Sequence, residues 1–112
     1  MNEHSNKKSA GERINVSSGS PYESIIGFSR AVRVGNIVAV GGTAAGSVGK
    51  MVGVGDPAAQ TRAIVEIIGK ALQDAGARLE DVIRTRIYLV DIAHWEMVGR
   101  MHGEVFLSLI HI

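Results

Sequence analysis

The most constraining feature of this sequence is a pair of short apolar runs separated by two residues that favour a tight turn. Residues 28–34 read Phe-Ser-Arg-Ala-Val-Arg-Val, Gly35 and Asn36 follow, and Ile37–Val40 is a continuous apolar run. Two strands joined by such a turn predict an antiparallel hairpin. Because Ile37–Val40 has no polar alternation, we expect this strand to be buried on both faces.

A long amphipathic helix is predicted to supply one covering layer. Asp56 and Pro57 are typical N-cap and first-turn residues, and Gly76 is typical of the position just beyond a helix. Between them, apolar residues recur at helical spacing: Ile64, Ile67, Ile68, Ala71, Leu72 and Ala75. The opposite face carries Arg62, Glu66 and Lys70. This pattern predicts a helix with one side packed on a sheet.

Weaker signals complete the order of elements. Short strands are predicted near residues 14–16 and 50–54, and the β-branched, alternating stretch 82–90 predicts another. Asp91 is the predicted cap of a second helix, in which Trp95 is a core anchor. This order predicts an α+β fold with a mixed sheet and two helices on one face. The other face of the sheet carries enough apolar surface to need a partner.

Length and composition bound the number of domains and the classes of function. At 112 residues we expect a disordered arm over 1–12 and one domain over 13–112. A formal charge of +1 argues against nucleic-acid binding, and the absence of cysteine excludes disulfides and thiolate chemistry. With no apolar run of membrane-spanning length and no secretory signal, we expect a cytoplasmic protein without a membrane partner.

Neither a phosphate loop nor a metal site is predicted. In the glycine-rich stretch 42–55, Met51 stands where a P-loop needs a hydroxyl residue, and Ala58 replaces the third glycine of the dinucleotide fingerprint. His94 and His102 lie roughly 12 Å apart along a helix axis, too far to chelate one metal within a subunit. His102 is therefore predicted to be a half-buried helix residue, and we expect no cofactor.

Several short motifs occur together along the chain. They are Gly-Phe-Ser-Arg-Ala-Val-Arg-Val-Gly-Asn at 27–36, Val-Gly-Gly-Thr at 40–43, Gln-Thr-Arg at 60–62, Ala-Gly at 75–76 and Leu-Glu-Asp-Val-Ile-Arg-Thr-Arg-Ile-Tyr-Leu-Val-Asp at 79–91. In combination they resemble the reactive intermediate deaminase family, RidA/YjgF, also called endoribonuclease L-PSP. The resemblance implies a chorismate-mutase-like fold and a homotrimer with a barrel-like centre and ligand clefts between subunits. It also implies hydrolysis of imines and enamines, such as 2-aminoacrylate, to 2-oxo acids and ammonia.

The resemblance implies a small-molecule cleft that contains five residues of this chain. Phe28 stands where the deaminases have a tyrosine, Gly41 replaces a serine, and Ala93 replaces an asparagine. Gly42 matches a cleft glycine whose backbone can approach a ligand, and Thr43 follows it.

The sequence departs from the family pattern after Phe106. It continues Leu-Ser-Leu-Ile-His-Ile, without the Arg-Pro-Ala motif that carries the family's carboxylate-binding arginine. We therefore interpret the chain as a shortened or divergent member that lacks the final strands, and expect little or no turnover of 2-iminopropionate. Arg84 and Arg86 are candidate anion contacts, with a solvated or interface face as the alternative.

Three classes of function stay open from the sequence. They are an imine or enamine hydrolase, a trimeric small-molecule binder without catalysis, and RNA cleavage or translational inhibition, as the family's older name suggests. The near-neutral charge and the lack of an acid–base constellation give the third class no physical support.

Overall fold

The computed structural model describes residues 12–47 and 50–110, so most of the predicted disordered arm lies outside the described residues. Its strands are β1 (Arg13–Val16), β2 (Ala31–Val34), β3 (Ile37–Val40), β4 (Gly46–Ser47) and β5 (Lys50–Met51). Its helices are α1 (Pro57–Asp74) and α2 (Trp95–Ile110), with a π-helical turn at Glu23–Gly27 and 3₁₀ turns at Leu79–Asp81 and Ile92–His94. One sheet has the order β1-β2-β3, and β4 and β5 form a separate pair.

The predicted hairpin forms β2 and β3. Val34 pairs with Ile37 across the two-residue turn, and β1 joins the other edge of β2, also antiparallel. In the turn, Gly35 has φ +59°, a conformation that glycine adopts without steric cost. The α+β class is confirmed, and the sheet is antiparallel where a mixed sheet was predicted.

Only one face of the three-stranded sheet is covered. The core cluster joins strand residues to α1: Val16, Ala31, Ala71 and Ala75, with Val38 and Val40 packed against them. On the opposite face Ile37 is 72% exposed, and Val34 is exposed as well. The expectation that Ile37–Val40 is buried on both faces is therefore wrong for the single chain. Helix α1 covers one side, and no described element covers the other.

Helix α1 follows its sequence signals closely. The Asp56 carboxylate accepts a hydrogen bond from the Ala59 N–H at 3.1 Å, and Gly76 has φ +82° just beyond the last turn. Ala71 and Leu72 are buried on the face predicted to be apolar. Capping and periodicity act over a few residues, which is why this element could be predicted without knowledge of its neighbours.

The segment 82–90, predicted to be a strand, has no regular secondary structure and pairs with no described strand. Ile83 is 99% exposed, and the segment touches α2 through Thr85, whose Oγ1 lies 2.9 Å from Nε2 of His102. The strand prediction is wrong because alternation indicates the two faces of a strand, whereas a strand also needs a neighbouring backbone to bond with. The absence of this strand also explains why the sheet is not mixed.

Helix α2 packs against α1. Asp91 accepts a hydrogen bond from the Ala93 N–H and begins the 3₁₀ turn that leads into α2. Its buried apolar residues are Val98, Met101 and Phe106. His102 is half-buried, as predicted, and its ring centre lies 4.5 Å from that of Phe106. Trp95 is 62% exposed, so its prediction as a core anchor is wrong.

Trp95 is exposed because it lies on an uncovered side of α2. It lines a shallow groove with Gly99, Gly103 and Leu107, which follow it at intervals of four residues. No helix in the described part of the chain is long and apolar enough to span a bilayer.

Candidate functional site

The loop that follows β3 lies beside the residue that precedes β2. The Gly41 N–H donates to the Arg30 carbonyl at 2.9 Å, which continues the register of the hairpin by one residue pair. A Cβ atom at Gly41 would lie 3.3 Å from the Ser29 carbonyl oxygen, so the glycine permits this close approach. At Gly42, by contrast, a Cβ would meet nothing within 4 Å, so one side of this backbone is open.

The guanidinium of Arg30 holds this loop in place. Its Nη1 donates to the Gly42 carbonyl at 3.3 Å and to the Thr43 hydroxyl at 3.2 Å. The Thr43 hydroxyl in turn donates to the Gly41 carbonyl at 2.9 Å. Arg30, Gly41, Gly42 and Thr43 therefore form one hydrogen-bonded group, called here the Arg30 cluster.

The positive charge of Arg30 has no partner among the described residues. The side chain is half-buried, and no described carboxylate lies within ion-pair distance of it. Only Nη1 bonds to described residues, which leaves the donors of Nε and Nη2 unused by them. A guanidinium presents its donors in a planar fork that matches a carboxylate or phosphate. This arrangement can bind an anion.

Glu23, in the π-helical turn, uses its carboxylate elsewhere. It accepts hydrogen bonds from the hydroxyl and the backbone N–H of Ser18, and from the Ser17 hydroxyl at 3.0 Å. These hydrogen bonds, above all the one from the Ser18 hydroxyl, hold the pKa of Glu23 below its ordinary value. The positive charge of Arg30 lowers it further and has the smallest effect. Glu23 is therefore committed to the serine turn and forms no ion pair with Arg30.

The structure joins only some of the predicted cleft residues. Gly41, Gly42 and Thr43 belong to the Arg30 cluster, whereas Phe28 is 41% exposed in the extended chain just before it. Ala93 is exposed in the 3₁₀ turn before α2, and no hydrogen bond links it to the cluster. The assignment of these five residues to one ligand cleft stays a prediction.

The two arginines singled out from the sequence lie elsewhere. Arg84 and Arg86 are exposed on the unpaired segment 82–90, where the guanidinium of Arg86 donates to the Tyr88 hydroxyl at 3.4 Å. No hydrogen bond among the described residues connects either side chain with the Arg30 cluster.

Sequence reasoning missed Arg30, although the sequence contains a signal for it. Counting outward from the two-residue turn pairs position 34 with 37 and 31 with 40, and the next pair is Arg30 with Gly41. The register of the hairpin thus places a cation next to the glycine pair. In the sequence alone, Arg30 is one residue of a predicted strand, and a strand pattern by itself does not mark a functional side chain.

A metal site is not formed by the described residues, since no three histidine or carboxylate side chains among them come together. The Nε2 atom of His102 is already engaged with Thr85.

Comparison with known proteins decides the family. Residues 19–111 match the model of the family described as endoribonuclease L-PSP. The chain belongs to this family. The motif resemblance to RidA/YjgF proteins is thereby confirmed, and the match includes the hairpin, both helices and the segment between them.

Individual RidA/YjgF relatives agree with this assignment. An uncharacterised protein of Streptomyces coelicolor is 42% identical over 94 residues, covering 84% of this chain and 70% of that protein. The 3-aminoacrylate deaminase RutC of Acinetobacter baylyi is 41% identical over 56 residues, covering 50% of this chain and 44% of that protein. A YjgF/YER057c/UK114 family structure from Mycobacterium tuberculosis has a TM-score of 0.75 and 47% identity, covering 87% of this chain and 76% of that one. The chain thus spans 44% to 76% of the length of these proteins.

Proposed function

We propose that this RidA/YjgF protein hydrolyses a small imine or enamine metabolite at a cleft that includes Phe28 and the loop after β3. Family membership and the similarity of half the chain to a 3-aminoacrylate deaminase support the proposal. The observation that carries it is the loop Gly41, Gly42 and Thr43, which hydrogen bonds hold in one conformation while the backbone of Gly42 stays open.

The reaction has two steps with simple requirements. The oxygen of a water molecule bonds to the imine carbon while the C=N electron pair moves to nitrogen, which takes up a proton. The hydroxyl proton of this adduct is then transferred to the nitrogen, the C–N bond breaks, ammonia leaves, and the C=O bond of the oxo product forms. An enamine enters the same sequence after it takes up a proton at its β-carbon and loses one from nitrogen to give the imine. Holding the substrate in a fixed orientation next to water lowers the entropic cost of the first step, and a loop held by several hydrogen bonds suits that task.

The working assembly in this proposal is a homotrimer with the uncovered face of the β1-β2-β3 sheet turned inward. Ile37 and Val34 on that face are exposed in the single chain, which costs free energy in water. Burial against other copies would remove this cost and would place ligand clefts between subunits, as the family resemblance implies.

Release of 2-oxo acid from 2-iminopropionate, generated in the assay by an amino-acid oxidase, tests the hydrolase. For a chain of these 112 residues, which contain no Arg-Pro-Ala motif, we expect a rate well below that of a relative with the motif. The same assay with 3-aminoacrylate asks whether the similarity to RutC extends to its substrate. Rates equal to the uncatalysed reaction for both compounds would contradict the proposal.

A non-catalytic small-molecule binder is the second candidate. It is favoured by one observation: none of the five predicted cleft residues, Phe28, Gly41, Gly42, Thr43 and Ala93, carries a side chain that could transfer a proton near neutral pH. A rise in Tm with a small carboxylic acid, without turnover of any imine, would select this candidate over the hydrolase.

A further inference from the structure

The Arg30 cluster contains a charge that the fold itself does not neutralise. Arg30 is half-buried, and the carboxylate of Glu23, whose pKa the charge of Arg30 helps to lower, accepts hydrogen bonds from Ser17 and Ser18. An anion that binds there would gain charge-assisted hydrogen bonds at a position that is partly shielded from water.

The anchoring of Arg30 makes its position specific. One nitrogen, Nη1, is bound to both Gly42 and Thr43, so the plane of the guanidinium is held at the end of the hairpin next to the open backbone of Gly42. Two further nitrogens, Nε and Nη2, have no hydrogen-bond partner among the described residues. Two adjacent donors of this kind are what a bidentate carboxylate contact requires.

We infer that Arg30 is the residue of the proposed cleft that contacts the carboxylate of the ligand and sets its preference for an anion over a neutral analogue. This inference rests on the proposed function, whose substrates are small carboxylates, and it adds the residue that recognises their charge. Thr43 is a positioning residue, since its hydroxyl orients the guanidinium and bonds back to the Gly41 carbonyl.

Arg84 and Arg86 are poorer candidates for this role. Both are exposed on the segment 82–90, which no strand supports, so neither guanidinium is held in a fixed position relative to the Arg30 cluster. Immobilising a free arginine side chain on binding costs conformational entropy, whereas Arg30 is already anchored.

The test compares pyruvate, the 2-oxo acid product of 2-iminopropionate, with pyruvamide, which has the same shape and no charge. For the whole chain we expect tighter binding of pyruvate than of pyruvamide by calorimetry. In Arg30→Gln the affinity for pyruvate should fall about tenfold or more, and that for pyruvamide should stay unchanged, since a charge-assisted pair contributes that much. Arg84→Gln and Arg86→Gln are matched controls and should retain the preference.

A second measurement uses the unmodified protein and does not depend on the folding of a variant. The Nε–H resonance of Arg30 should shift on titration with pyruvate and stay in place with pyruvamide.

Arg30→Lys, which keeps the charge and loses the planar fork, should retain part of the preference for pyruvate. Failure of pyruvate to bind, an unmoved Arg30 resonance, or loss of the preference in Arg84→Gln or Arg86→Gln instead would overturn the inference.

The outcomes separate this inference from the proposed hydrolase activity. If pyruvate binds through Arg30 and no imine is hydrolysed, the catalytic proposal fails and the anion site stands. If imines are hydrolysed and Arg30→Gln keeps both the rate and the affinity for pyruvate, the catalytic proposal stands and the anion site fails.

Discussion

At the scale of single residues, two local hydrogen-bonded arrangements lie next to the hairpin. In one, Ser17 and Ser18 close around the carboxylate of Glu23, and in the other Arg30 holds the loop containing Gly42 and Thr43. Among the described residues neither arrangement contains an ion pair, so the guanidinium of Arg30 is available to the ligand of the proposed cleft.

Glu23→Gln should lower the stability of the protein near pH 7 and have a smaller effect in acid. Because the hydrogen bonds from Ser18 lower the pKa of Glu23 in the folded state, they stabilise the fold fully above the ordinary value of 4.5. This contribution is lost as the pH falls through the lowered pKa, when the carboxylate is protonated. Measured Tm values of protein and variant should therefore converge toward low pH.

The control for that prediction is Glu66→Gln, which alters an exposed carboxylate on α1 that has no side-chain hydrogen bond within the described chain. Its effect on Tm should be small at every pH. A Glu23→Gln difference that stays constant from pH 7 into acid would show that the serine contacts do not depend on the charge of the carboxylate.

At the scale of elements, one side chain of β2 adds a polar connection between the sheet and α1 to the apolar core that they share. Arg33 donates from Nη1 to the Ala75 carbonyl at 2.8 Å and from Nε to the Gly35 carbonyl at 2.9 Å. It thereby satisfies a carbonyl at the C-terminal end of the helix and ties it to the hairpin turn. A Cβ at Gly76 would lie 2.8 Å from Nη1 and would displace the guanidinium, and the φ of +82° favours glycine itself.

Arg33→Gln should destabilise the protein by about 1–3 kcal/mol, because it removes the charged donor and leaves helix carbonyls without their partner. Urea denaturation measures this loss. Arg62→Gln, on the exposed face of α1, is the matched control and should change the free energy of unfolding by about 0.5 kcal/mol or less. Equal effects of the two substitutions would show that Arg33 does not hold the helix end.

At the scale of the whole molecule, the described chain is apolar on surfaces that no part of it covers. One is the outer face of the β1-β2-β3 sheet, and the other is the segment 82–90 with its exposed Ile83 and Val90. Contiguous exposed apolar surface is typical of an interaction site. The fold therefore supports the proposal that the functional form contains several copies.

Ile37→Asp should reduce the molecular mass in solution from that of a trimer to that of a single chain. The substitution places a carboxylate on the uncovered sheet face, where burial against other copies would require removing it from water. Light scattering coupled to size-exclusion chromatography measures the mass. Val54→Asp, at another exposed valine, is the control and should leave it unchanged. A single-chain mass for the unsubstituted protein would contradict the proposed trimer.

The elements that could be predicted are those specified by residues close together in the chain. The turn at Gly35, the cap at Asp56 and the stripe along α1 each depend on interactions across a few positions, and all three are present. The candidate loop Gly41–Thr43 could likewise be located from its motif. Its partner Arg30 could have been located only by counting the register of the hairpin.

The sequence by itself determined the hairpin and α1, because turn chemistry, helix capping and helical periodicity each depend on residues close together in the chain. It also determined the family, because the motifs that identify the family are short stretches of the sequence. Only the tertiary structure decided which surfaces are covered: Ile37 is exposed, Trp95 lies outside the core, and 82–90 finds no strand to pair with. The physical reason is that burial and strand pairing each require two segments of chain in contact with one another. A pattern in one segment specifies what that segment can bury, and its neighbours in space decide whether it does.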